Sequence, residues 1–322
     1  MKSDVLQVRD LRVFYHTPSG PVKAVNGVTF SLRAEERLGL VGESGSGKST
    51  IALALMRLIK LPGKIESGEV LLDDVNLLMI SEEQMRQARL ARIALVAQGA
   101  MNSLNAVLRV RDQIWDALGD HGVSSSRKDF DAGVADLLER VGLRREVASM
   151  YPHELSGGMK QRVCIAIAIS LKPRVIIADE PTSALDVVVQ RQVIDTLRDV
   201  QEALHASILL IGHDMGLMAQ VVDRLGVMYA GDLAEVAEIH DIYREPLHPY
   251  TQLLIASLPS LDRKGVFKGI PGLPPSLLNR PVGCPFRARC PFAFDRCATE
   301  EPLLREVKPD HFVSCHLYEE MS

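Results

Sequence analysis

Short apolar runs punctuate the chain up to about residue 230, and their spacing alternates between strand and helix periods. Residues 28–32, 37–41, 69–72, 93–97, 175–178, 207–211 and 225–229 are compact apolar runs of strand length. Helical patterns separate them, which predicts an α/β core around a largely parallel sheet. Between the runs at 93–97 and 175–178 the pattern stays helical over roughly 110–171, which predicts a helical subdomain inserted into the sheet domain. Beyond residue 239 the apolar period fades. Eleven of the 17 prolines lie from Pro246 onward and four of the five cysteines from Cys284 onward. The expected division is therefore a domain over 1–238 and an extension over 239–322 with little apolar core of its own.

Composition narrows the class. With 322 residues, 47% of them hydrophobic and 24% charged, the chain is an ordinary folded protein rather than a disordered one. A net charge of −4 gives no broad pull toward nucleic acid, and one Trp with 5% aromatics gives few stacking platforms for single strands. No apolar run approaches the about 18–20 residues that span a bilayer. Met1-Lys2-Ser3-Asp4 leads into a strand pattern rather than a signal-peptide core, so a cytoplasmic, soluble chain is expected. No internal repeat or sustained heptad is present.

The chemistry concentrates in a few segments. Gly42-Glu43-Ser44-Gly45-Ser46-Gly47-Lys48-Ser49, followed by Thr50, fits G-x-x-x-x-G-K-[ST] between an apolar strand and a helical pattern. Glycines there let backbone N–H groups turn inward around phosphates, and the helix N-terminus adds its positive end. Lys48 would reach the β- and γ-phosphates, and the Ser49 hydroxyl would ligate Mg²⁺. Downstream, the strand at 175–178 runs into Asp179 and Glu180. The first suits the Mg²⁺ shell, and the second suits polarising an attacking water. A solvated acidic strand end is common, and it is the phosphate loop upstream that gives this pair its meaning. Leu155-Ser156-Gly157-Gly158-Met159 opens a third segment, an apolar helix. Ser-Gly-Gly in that place is an ordinary N-cap by itself. Beside one phosphate cradle already present, it fits a second cradle serving a nucleotide held by a neighbouring subunit.

These segments, in this order, resemble the ATP-binding subunit of an ABC transporter over about residues 5–240: Walker A at 42–49, the signature at 155–159, and Walker B ending in Asp179. The segments Pro181-Thr182-Ser183-Ala184-Leu185-Asp186 and Ile211-Gly212-His213-Asp214 are similar to the family's D-loop and switch-histidine segments. The resemblance implies a P-loop ABC ATPase fold, with a RecA-like core sheet, antiparallel edge strands and an inserted helical subdomain. It implies that Gln98 contacts Mg²⁺ or the lytic water, that His213 contacts the γ-phosphate, and that Tyr15 stacks on adenine. Gly42, Ser44, Gly45, Gly47, Lys48, Ser49 and Thr50 would hold ATP in this chain, and Ser156, Gly157, Gly158 and Asp186 would also contact nucleotide. One departure stands out, because the Q-loop often continues with an acid and Pro, whereas here it is Gln98-Gly99-Ala100-Met101-Asn102. That change bears on contacts with partner subunits rather than on hydrolysis. Histidines are more often structural than catalytic, and His121, His205 and His240 carry no functional expectation. Cys164 fits a small buried hydrophobe.

Leu247-His248-Pro249-Tyr250-Thr251, Ile270-Pro271-Gly272 and Gly283-Cys284-Pro285-Phe286 resemble the dipeptide and oligopeptide group of importers, which also includes oligosaccharide and nickel importers. The resemblance implies a second homologous ABC ATPase subunit in a heterodimer, two transmembrane permease subunits and an extracytoplasmic substrate-binding protein. It places the chain peripherally at the cytoplasmic face of the membrane, with no nucleic-acid partner. A soluble ABC ATPase acting on nucleic acid or ribosomes, and a nucleotide-binding scaffold without turnover, are the rival classes. Finally, Cys284, Cys290, Cys297 and Cys315 are separated by 5, 6 and 17 residues. In a reducing compartment four thiols suit Zn²⁺ or an iron–sulfur cluster, or stay free. The lack of a short C-x₂₋₄-C knuckle favours the bulkier group. Related peptide-importer ATPases carry a [4Fe–4S] cluster on such a motif, so the resemblance points the same way.

Overall fold

The computed structural model describes residues 3–123, 126–183, 185–258 and 269–318, so Met1, Lys2 and Ala184 of the segments quoted above lie outside the described residues. The chain divides into two compact units. One comprises Met1–Val5, Leu32–Glu36 and Met79–Leu210; the other comprises Leu6–Ser31, Arg37–Leu78 and Ile211–Ser322.

The second unit carries most of β1 (Asp4–Thr17) and of β2 (Gly20–Arg33), with β3 (Arg37–Gly42), α1 (Lys48–Leu55), β4 (Gly63–Leu72) and β5 (Val75–Asn76). Four of these strands form a sheet of order β2-β1-β4-β5, in which β1 runs antiparallel to β4, with Leu6 opposite Leu72 and Tyr15 opposite Gly63. The ladder slips between Arg9 and Arg12. A bulge there shifts the in–out phase of β1, which is why its apolar residues keep no single period of two.

In the first unit, α2 (Glu82–Ala88) leads to β6 (Ile93–Val96), and α3 (Val110–Gly119), α4 (Arg127–Arg140) and α5 (Gly157–Ile169) follow. The chain then forms β7 (Val175–Asp179), α6 (Val187–Leu204) and β8 (Ser207–Ile211), with strand order β8-β7-β6. Among the described residues of 110–171, α3, α4 and α5 are joined by turns and short 3₁₀ segments. Strands β6 and β7 are parallel, with Ile93 opposite Val175, and every residue of β7 is buried. That explains its unbroken apolar run, since a parallel strand covered on both faces has no polar side to show.

The second unit resumes with α7 (Met215–Val221), β9 (Arg224–Tyr229), β10 (Asp232–Glu238), α8 (Ile239–Arg244), α9 (Pro249–Ala256), α10 (Arg296–Thr299), β11 (Arg305–Lys308) and β12 (His311–Val313). Its strand order is β11-β12-β10-β9-β3, with β3 parallel to β9 and the remaining pairs antiparallel. The seven strand runs read from the sequence are all strands. Strand β10 had escaped notice because it carries Glu235, which is 0% exposed. Its carboxylate accepts the backbone N–H groups of Leu247 and His248 (2.7 and 3.0 Å) and bonds His311 Nε2 (2.7 Å). Burial of the charge is therefore matched by three partners drawn from the C-terminal segment.

Candidate functional site

The P-loop lies in the second unit, between β3 and α1. Two of its glycines are there for want of room. A β-carbon on Gly42 (φ 153°) would lie 2.2 Å from the Met228 carbonyl oxygen, and one on Gly47 (φ 105°) would lie 2.1 Å from that of Ala24. Gly47 is also the N-cap of α1 and offers no side chain to its first turn, so the capping task is left to whatever enters the loop. Lys48 is 6% exposed, and its ammonium donates to the carbonyls of Gly42 (2.8 Å) and Glu43 (3.0 Å). Ser49 and Thr50 begin the helix beside it.

Two further expected residues belong to this unit. The Gly212 N–H donates to the Leu40 carbonyl (3.0 Å), which sets the residue before His213 alongside β3, two residues short of the loop. His213 itself is exposed, and the next residue, Asp214, caps α7 by accepting the Leu217 N–H (3.0 Å). Tyr15 is half-buried with its ring over Gly63, where a β-carbon would meet the ring edge at 2.7 Å.

The acids lie in the first unit. Strand β7 ends at Asp179, which is 5% exposed, and Glu180 has left the strand with φ 45°. For a non-glycine residue that left-handed conformation is uncommon and held by its surroundings. Gln98, exposed beyond β6, donates from Nε2 to Glu180 Oε2 at 2.9 Å, so the two residues expected to manage water already touch. Gly99, the residue replacing the usual acid, has φ 68° and turns the chain into a short 3₁₀ segment at Ala100–Asn102. The Ala100 carbonyl there accepts the Cys164 thiol (3.2 Å), and burial pushes that thiol up to about 12.

The signature also lies in the first unit. Ser156 caps α5, its hydroxyl accepting the Met159 N–H at 3.3 Å, while Ser156 and Gly157 are exposed. Asp186 caps α6 through the N–H groups of Val188 and Val189 (both 3.0 Å).

Cys284, Cys290, Cys297 and Cys315 are free and line one small cavity with Phe286, Phe292, Phe294 and His316. The backbone N–H groups of Phe286 and Arg287 face the Cys284 sulfur, that of Phe292 faces Cys290, and that of Leu317 faces Cys315. Burial nevertheless dominates and pushes Cys284 up to about 11 and Cys315 up to about 12. Among the described residues, no group of three or more His, Cys, Asp or Glu side chains is arranged to hold a metal ion.

One constellation escaped the sequence reading. Arg289 makes a two-pronged ion pair with Glu43 inside the P-loop, both contacts at 2.9 Å. The Glu43 N–H donates to the Tyr250 hydroxyl at 3.1 Å. The available signal was chemical: an acid within a phosphate-binding loop calls for a cation beside it.

Residues 25–183 match the family model described as ABC transporter, and residues 234–297 match the one described as Oligopeptide/dipeptide transporter, C-terminal region. Along its full length the chain is 41% identical over 322 residues to the oligopeptide transport ATP-binding protein AppD of Bacillus subtilis, covering 99% of this chain and 98% of that protein. The chain belongs to the ABC transporter family. Other ABC relatives include the oligopeptide transport ATP-binding protein OppD of Escherichia coli (42% identity, 97% of this chain, 92% of the relative). The dipeptide transport ATP-binding protein DppD of Caldanaerobacter subterraneus is another (41%, 99% and 98%). Among solved structures, the dimeric ABC transporter cassette MJ0796 shares the fold, with a TM-score of 0.65 at 24% identity over 73% of this chain and 98% of that one. The expectation of an ATP-hydrolysing ABC transporter subunit of the dipeptide and oligopeptide group thus holds. Among the described residues, no helix is long and apolar enough to cross a membrane.

Proposed function

We propose that the chain hydrolyses ATP to drive import of dipeptides and oligopeptides, working at the cytoplasmic face of the membrane. Its partners would be a second homologous ABC ATPase, two permease subunits and an extracytoplasmic binding protein. The observation that carries this reading is the match of residues 234–297 to the peptide-transporter C-terminal region, which lies beyond the ABC-transporter match at 25–183. Oligosaccharide or nickel import is the alternative. The full-length likeness to oligopeptide and dipeptide proteins favours peptides.

In this reading the chain is a cassette over 1–238 followed by an extension over 239–322. The N–H groups of Gly45, Gly47, Lys48, Ser49 and Thr50 wrap the phosphates, and Lys48 moves its ammonium from the loop carbonyls onto them. Tyr15 stacks on the base. The Ser49 hydroxyl would be a ligand to Mg²⁺, as would Asp179 and Gln98 each in its own segment, and the ion would neutralise charge on the β- and γ-phosphates. Glu180 takes a proton from the attacking water as its oxygen bonds the γ-phosphorus and the bond to the ADP oxygen breaks. Gln98 orients that water, and His213 stabilises the charge that builds on the γ-phosphate. Ser156, Gly157, Gly158 and Asp186 address a nucleotide bound by the partner ATPase.

Cys284, Cys290, Cys297 and Cys315 belong, in the same reading, to a [4Fe–4S] cluster, which when bound supplies four iron–thiolate bonds that staple the Pro-rich segment. The aromatic-lined cavity that all four cysteines share supports it. Zinc on the same four thiols is the alternative. With the cluster bound, anaerobically purified protein is brown, with about four iron and four sulfide per chain; colourless protein with one zinc would overturn the cluster.

The test of function is uptake. In proteoliposomes with the permeases, second ATPase and binding protein, ATP should drive accumulation of a labelled dipeptide or tripeptide and not of an oligosaccharide or Ni²⁺. Hydrolysis that accompanies only one of the latter would overturn the peptide assignment.

A further inference from the structure

An acid inside a phosphate-binding loop opposes its purpose, since Glu43 adds a negative charge where a polyanion must enter. The second unit answers with Arg289, whose side chain is 5% exposed. All five N–H donors of the guanidinium are engaged. Two meet Glu43 (2.9 Å each), one meets the Tyr229 hydroxyl (3.2 Å), and two meet the carbonyls of Pro271 (2.8 Å) and Ile270 (3.3 Å). Such a fork is fixed in place, and a lysine could not reproduce it.

A second strut runs beside it. Tyr250, 0% exposed, accepts the Glu43 N–H and packs on Tyr229 (4.7 Å between ring centroids) and Phe286 (5.4 Å). Both struts begin in the cysteine-bearing segment, because Arg289 adjoins Cys290 and Phe286 lies two residues after Cys284. We propose that Arg289 is a positioning residue for nucleotide binding: it neutralises Glu43 and, with Tyr250, pins the P-loop to the cysteine-bearing segment. Affinity for a nucleoside triphosphate then depends on that segment being in place. The inference rests on loop 42–49 binding nucleotide and is independent of what the four thiols hold.

The test is titration of the full chain with a fluorescent N-methylanthraniloyl ATP, alongside thermal melting to check folding. Arg289→Ala should weaken binding about tenfold, the scale of one uncompensated charge beside a polyanion, and the loss should shrink at high salt. Adding Glu43→Gln to Arg289→Ala should restore most of the affinity, a rescue that a purely structural role for Arg289 would not give. Arg289→Lys, which keeps the charge and loses the fork, should fall between, and it carries the comparison if the alanine variant does not fold. Unchanged binding in a folded Arg289→Ala, or a double variant as weak as the single, overturns the inference alone. A wild-type chain that binds no nucleotide overturns the P-loop reading and the inference together.

Discussion

The P-loop region of the second unit and the acid-and-signature region of the first are built on opposite principles. Around residues 42–49 the candidate groups are backbone N–H donors together with the Lys48 ammonium and the Ser49 hydroxyl. They are held by glycines without space for a β-carbon, by a helix start without a side-chain cap, and by an arginine 246 residues away in sequence. In the first unit the candidate groups are side chains, from the buried carboxylate of Asp179 to the exposed Gln98, Ser156 and Asp186. Gln98 leans on Glu180, and Ser156 and Asp186 each cap their own helix. Backbone donors are fixed by the fold and suit binding of a charge that is always present; side chains can be re-aimed, which suits chemistry that must be switched on. The comparison implies that binding and turnover are separable by mutation.

The largest effect should come from Glu180→Gln. Removing the carboxylate that sits against Gln98 should lower turnover in the assembled transporter by about 10²–10⁴-fold. Steady-state phosphate release checks this, and near-wild-type turnover would dissolve the distinction between the two regions. A smaller effect should follow from Gly158→Ala, because a β-carbon there lies 2.4 Å from Val189 Cγ1 where α5 meets α6. Overpacking of that kind costs about 1–3 kcal/mol. Calorimetry should record a fall in Tm, opposite in sign to the usual gain of about 0.5–1 kcal/mol when a helical glycine becomes alanine. The smallest should be Ser156→Ala, a lost N-cap worth about 1 kcal/mol. Denaturant unfolding should detect that loss while nucleotide binding by the chain alone stays as it was.

Much of the site was legible because its motifs are local. A strand, a glycine-rich loop and a helix occupy adjacent residues, so spacing alone exposed Lys48 and Ser49, and the run into Asp179 exposed the acid pair. What escaped depends on distance or on broken patterns. The buried charge of Glu235 hid β10, since that strand does not keep the alternation that marks one. The Arg289–Glu43 pair joins residues with no local relation. The left-handed turn at Glu180 shows only in backbone angles.

The central claim, that Lys48 serves nucleotide binding and Glu180 serves turnover, is tested most directly by measuring nucleotide affinity for Lys48→Ala and Glu180→Gln in one titration series. Loss of the charge-assisted bonds of Lys48 should weaken binding by about 10–100-fold. Glu180→Gln, which keeps the shape of the side chain, should bind within about twofold of the unmutated chain. Affinity lost in Glu180→Gln and kept in Lys48→Ala would contradict the account.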